Sequence, residues 1–251
     1  MNPYWVALFV LASVFGSALL GMRLRGFLPE HHLSDDTKDS VRIGMGLVAT
    51  MAALILGLLV ASAKNSYDTE KGEVIQMASK VTHLDRILLN YGMETAPLRE
   101  SLRLGLEGAM LRIWAENPEG NGPADPSSAW SETLPKAIQS LHPTNSAQGA
   151  FKAQAESVTA DLGQMRWLLF EQADSSISRP LLFVVIAWLA IIFGSVGLFC
   201  PSNATAIGSL FLSSISVAGA IFLILELDQP FDGLIHISKK PMLNALHHLR
   251  N

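Results

Sequence analysis

The chain has 251 residues, of which 49% are hydrophobic and only 16% charged, whereas soluble domains typically carry roughly 25% charged residues. A net charge of −4 excludes a general electrostatic attraction to nucleic acid. The single cysteine, Cys200, excludes an internal disulfide and a thiolate metal cluster.

The charge deficit is concentrated in three places. No Asp, Glu, Lys or Arg occurs in residues 1–22, 43–63 or 180–225. Ionised side chains are costly in hydrocarbon, so charge-free runs of this length predict membrane spans. The first span covers about residues 3–22, with Tyr4 and Trp5 placed as an interfacial anchor. It reads as a retained helix rather than a signal peptide, because no basic region precedes it and Arg23 and Arg25 follow it. A polar connection with His31, His32, Asp35, Asp36 and Asp39 leads to the second span, residues 43–63. Adjacent histidines rarely point at one ion, so His31 and His32 read as solvated loop residues.

Residues 64–179 predict an extramembrane helical domain. Val74, Met77, Val81, Leu84, Leu88 and Tyr91 recur at three- and four-residue steps and form one apolar stripe. Only Gly72 weakens the path from the second span into this stripe, so one helix of roughly 70 Å is expected, stopping at Asn90-Tyr91-Gly92. His83 and Asp85 are expected to make ordinary polar contacts. Thr95 and Pro97 open the next helix, with a stripe of Leu98, Leu102, Leu106, Ala109 and Ile113. Residues 117–128, rich in proline, glycine and asparagine, read as a loop, followed by a short helix near 133–141. Phe151, Ala155, Val158, Leu162, Met165 and Leu169 mark a long last helix of the domain.

The apolar stretch 180–225 is too long for one crossing and is interrupted by Cys200-Pro201-Ser202-Asn203. It therefore predicts two spans, 180–199 and 204–225, joined as a hairpin. The fold expected is all-α, with four transmembrane helices and a helical domain between the second and third. The divisions are 1–63, 64–179, 180–225 and a stretch 226–251 that holds an acidic motif and a C-terminal tail, where His247 and His248 read as solvated. Lys64, Lys71, Arg166, Arg179, Lys239 and Lys240 outnumber Arg23, Arg25, Lys38 and Arg42 near span ends. This count places both termini and the helical domain on the cytoplasmic side of an inner membrane.

Two segments carry the candidate function. In span two, Gly46, Thr50, Ala53 and Gly57 fall at steps of four, three and four on one face, extended by Ala61 and Lys64. Small residues there either admit a close-packed helix or line a pore in a symmetric oligomer. After span four, Glu226, Asp228 and Asp232 occur in Leu225-Glu226-Leu227-Asp228-Gln229-Pro230-Phe231-Asp232-Gly233. Acids disfavour a helix C-terminus, where the dipole attracts cations, so compensation by Lys64, Arg166, Arg179 or a bound ion is expected. Oxygen donors suit calcium, but no calcium-hand spacing is present, so the metal is left open. Asn203-Ala204-Thr205 fits a glycosylation pattern but abuts a span. No phosphate loop, dinucleotide fingerprint, nucleophile elbow or zinc-protease motif occurs, so neither an enzyme nor a cofactor is expected.

Together these residues resemble a known family. Leu28-Pro29-Glu30-His31-His32-Leu33, Leu56-Gly57-Leu58-Leu59-Val60-Ala61 with Tyr67-Asp68, Leu84-Asp85-Arg86-Ile87-Leu88 with Tyr91-Gly92, and Leu225 to Phe231 with Gly233-Leu234-Ile235 are similar to the bestrophin-like membrane proteins of bacteria and plants. The resemblance implies kinship with bestrophins, pentameric anion channels with four spans per subunit and a helical cytosolic domain after the second. It also likens the acidic stretch with Pro230-Phe231 to the bestrophin calcium clasp, although the acids here are less densely placed and no bestrophin pore-neck sequence is found. The expected function is a homo-oligomeric channel in the lipid bilayer with span two at the axis, and with Glu226, Asp228 and Asp232 coupling span four to the helical domain. The alternative is a non-conducting sensor or scaffold that binds a partner through the stripe from Val74 to Tyr91. An intramembrane enzyme ranks last, because the spans supply only serines, Thr50 and Thr205 as polar groups.

Overall fold

The structure is a computed structural model that describes residues 2–29, 34–114, 129–171 and 178–250, with side chains described for all of these except 129–132, 170, 171 and 179. The Glu30-His31-His32-Leu33 segment and the loop expected at 117–128 lie outside the described residues. The described chain is helical: α1 (Pro3–Arg25), α2 (Asp35–Tyr91), a single 3-10 turn (Met93–Thr95), α3 (Ala96–Ile113), α4 (Ala129–Gln139), α5 (Ser146–Glu171), α6 (Arg179–Phe199), α7 (Ala204–Leu227) and α8 (Lys240–Arg250).

The helix ends follow local chemistry. Asn2 caps α1 by accepting the Tyr4 N–H at 3.0 Å, with Pro3 in the first turn, where its missing donor costs nothing. Asn203 caps α7 in the same way, accepting the Ala206 N–H at 2.8 Å. The asparagine of the glycosylation-like triplet is thus a helix cap. Pro201 prevents α6 from continuing. The helix α2 runs unbroken for 57 residues through Gly72 and stops at Gly92, whose φ of 141° lies where a side chain is strained. The expected through-running helix is present and begins eight residues before the span.

Four helices, α1, α2, α6 and α7, are long and apolar enough to cross a membrane. The protein is an all-α, multi-pass membrane protein with its helical domain between the second and third spans. It divides into two compact units, residues 1–66 with 176–228 and residues 67–175 with 229–251.

In the first unit α1 packs against both α6 and α7. Its core joins Val10 and Val14 of α1, Leu59 and Ala63 of α2, Leu182 and Val185 of α6, and Ala218, Ile221 and Ile224 of α7. Lipid is as apolar as these side chains, so close van der Waals fit must hold the helices together. The closest fit is at glycine. A Cβ on Gly21 would collide with the backbone of Gly194 and Leu198, and one on Gly197 with the backbone of Ala18. At the end of this seam the Arg25 guanidinium donates to the Cys200 carbonyl at 2.9 Å, satisfying an orphan acceptor beyond α6.

The second unit is built around the predicted stripe of α2. Val74, Met77, Val81, Leu84 and Leu88 pack with Leu102 and Leu106 of α3, Ile138 of α4, and Ala155, Leu162 and Leu169 of α5. The stripe is thus buried in the protein's own core, which corrects the expectation that it is presented to a partner. Asp85 is 2% exposed and accepts from Arg99 Nε at 2.6 Å and Nη2 at 3.1 Å, a paired arrangement of the kind a buried charged side chain requires. A second correction concerns the C-terminus. Residues 240–250 form α8 rather than a solvated tail, and Met242, Ala245, Leu246 and Leu249 enter this core at helical spacing. His247 and His248 do face outward.

Candidate functional site

The small residues of α2 form an exposed sector among the described residues. Gly46, Thr50, Ala53 and Gly57 are all exposed, and a Cβ built on Gly46 or Gly57 would find open space within 4 Å. The helix instead packs inward through Ala52, Leu59 and Ala63, on the opposite side. Beside the small sector lies a second exposed one carrying Ile43, Leu47, Leu54 and Leu58. Among the described residues of one subunit, no helix packs closely against Gly46 or Gly57. The Thr50 hydroxyl donates to the Gly46 carbonyl one turn back at 2.9 Å, so it presents an oxygen with a free lone pair rather than an uncommitted donor.

The three carboxylates occupy three different settings. Glu226, in the last turn of α7, is 1% exposed among Ile224 and Leu225 and is engaged by an interaction of its own. Asp228 is half-buried and caps α7, its N–H donating to the Ile224 carbonyl at 3.2 Å. Asp232 is exposed, and its Oδ1 accepts the Gly233 N–H at 2.8 Å in a turn that Gly233, with φ of 80°, is suited to make. Among the described residues, no group of three or more His, Cys, Asp or Glu side chains is arranged to hold a metal ion.

The rest of the acidic motif works by packing and backbone hydrogen bonding inside the second unit. The Phe231 ring meets Trp114 edge-on, with centroids 6.0 Å apart. The Trp114 indole N–H donates to the Ile237 carbonyl at 2.8 Å, and the Ile237 N–H returns to the Pro230 carbonyl at 2.7 Å. The Tyr67 hydroxyl donates to the His236 carbonyl at 3.4 Å. The Pro230-Phe231 pair thus fastens the turns of residues 230–237 into the helical unit.

Sequence reasoning missed Trp114 and the Ala18, Gly21, Gly194 and Gly197 seam. The seam was visible as two pairs of small residues three apart in spans one and three. Trp114 carried no signal, since its partners lie more than a hundred positions away.

Four apolar crossings, an inserted helical unit between the second and third, and an acidic proline-phenylalanine segment after the last define a polytopic all-α membrane protein. Residues 10–242 match the family model described as the bestrophin-like domain, and the chain belongs to that family. No curated protein and no solved structure matches it.

Proposed function

We propose that the chain assembles into a symmetric homo-oligomer, a pentamer, that conducts small anions such as chloride along an axis lined by α2. The observation that carries this reading is the exposed small sector of Gly46, Thr50, Ala53 and Gly57, where a Cβ on either glycine would meet nothing within 4 Å. In a ring of identical chains, small side chains on the axial face leave room for an ion, and rings of apolar groups can gate by dewetting. The adjacent sector of Ile43, Leu47, Leu54 and Leu58 then packs against the next subunit, as a closed heterologous interface requires. Family membership supports the same reading by kinship of fold, which alone does not fix function.

The protein belongs, on this reading, to the inner membrane, with its helical unit and both termini in the cytoplasm. Glu226, Asp228 and Asp232 lie along the direct chain path from α7 into the helical unit and couple the two. The test is halide flux into liposomes holding the purified protein, together with its subunit number by native mass in mild detergent. Flux above empty vesicles from a ring-forming species is expected. A monomer or dimer, with no flux across several ionic and calcium conditions, would overturn the proposal.

A further inference from the structure

We propose that the groove between α2 and α8 in the helical unit is a binding site for a phosphate-class oxyanion. The groove is a shallow, open cleft of about 510 Å³, lined from α2 by Ser79, Thr82, His83 and Arg86, and from α8 by Asn244 and His248. None of its ten lining residues is acidic, in a chain that carries 22 acids against 18 Lys and Arg. Arg86 brings a positive charge to the groove, and no lining carboxylate opposes it.

The charges on the elements around it point the same way. His83 and Arg86 lie one turn apart on α2, so both project from one face. Neither makes a hydrogen bond or ion pair among the described residues. The acid beside them in sequence, Asp85, is turned into the core and taken up by Arg99. Opposite them α8 holds Lys240, His247, His248 and Arg250 and contains no Asp or Glu. Arg250 is occupied by Glu107 at 2.8 Å, and the His248 ring lies edge-on to His247.

An unpaired guanidinium on one wall, imidazoles on both walls, and the Asn244 amide and Ser79 hydroxyl beside them offer donors to an anion, while the Thr82 hydroxyl is already spent on the Ala78 carbonyl at 3.0 Å. A guanidinium fork matches two phosphate oxygens at once, which a halide cannot use. The size suits a small multiply charged molecule rather than a polypeptide segment. The same phosphate chemistry could come from a soluble compound or a lipid headgroup. This inference is independent of whether the protein conducts.

The experiment titrates pyrophosphate into the full-length protein in neutral detergent by calorimetry, at ionic strength held constant with chloride. A parallel arm uses short-chain phosphatidic acid as monomers. Saturable binding of one pyrophosphate per subunit is expected. Arg86→Gln should weaken it about tenfold, the loss of a charge-assisted fork, and His248→Gln from the opposite wall about threefold. Both side chains are exposed, so circular dichroism should show both variants folded. Saturable binding of the lipid alone, with the same dependence on Arg86 and His248, supports the site and names the headgroup as its source. Binding unchanged in Arg86→Gln, or heat reproduced by chloride alone, overturns the proposal.

Discussion

Gly21 of α1 and Gly194 of α6 touch backbone to backbone, so that the first atom of any side chain on Gly21 would occupy the place of the Gly194 carbonyl oxygen. Gly21→Ala is therefore expected to force the two helices apart at a cost of about 1–3 kcal/mol. The expected result is a lower melting temperature and less folded protein after extraction in detergent. Gly57→Ala serves as the contrast. Open space surrounds Gly57 within one subunit, so the melting temperature of detergent-isolated monomer should not fall.

Gly57→Leu asks a different question of the same position. The first side-chain atom there meets nothing within 4 Å in the subunit, so the subunit should fold as before. If the small sector of α2 lines an axis, five leucines converge on it and halide flux should drop by at least about tenfold. Equal flux from equal amounts of reconstituted variant and wild type would remove α2 from the pore.

The contrast between these two glycines shows what the sequence could reveal. Charge-free runs located the four helices long and apolar enough to cross a membrane, because exclusion of ionised groups from hydrocarbon acts on each residue independently of its neighbours. The stripe from Val74 to Leu88 likewise predicted its own burial, since period alone defines a helix face. The role of a small residue does not follow from period. Gly21 and Gly57 look alike in the sequence, and only the position of α6 makes one a contact and leaves the other open. The acidic motif suffered from the same limit: Glu226, Asp228 and Asp232 read as one cluster but fall in a buried turn, a cap and an exposed loop. Residues 240–250 were read as tail because eleven residues with two adjacent histidines show too short a stripe to stand out.

Asp85 and Arg99 should be unequal to their loss singly and together. Asp85→Ala leaves Arg99, whose side chain is 24% exposed, without the partner that raises its pKa by hydrogen bonding. The cost should be about 2–3 kcal/mol, at the low end for a buried pair because the arginine can still reach water. Replacing both, as Asp85→Leu with Arg99→Met, should restore part of that stability. Chemical denaturation of the four members of the cycle measures the coupling. A double variant no more stable than the worse single one would mean that the pair does more than neutralise itself.

Glu107 links the last helix to the pH of the medium. It accepts from Arg250 of α8 at 2.8 Å and from Arg103 at 2.7 Å. The Arg250 hydrogen bond, followed by the charges of Arg103 and Arg250, holds its carboxyl below the ordinary value of 4.5. A carboxylate whose folded pKa is depressed contributes stability above its unfolded value and loses it as the pH falls through the folded one. The docking of α8 should therefore be constant from neutrality down to about pH 5 and weaken below 4.5. Glu100, lowered in turn by Arg103, titrates in the same window, so the wild-type profile alone does not isolate the contact. Glu107→Gln does, because it cannot titrate. The gap in melting temperature between wild type and Glu107→Gln should be widest at neutral pH and close as the medium is acidified. A gap that stays constant to pH 3 would show that Glu107 acts through shape rather than charge.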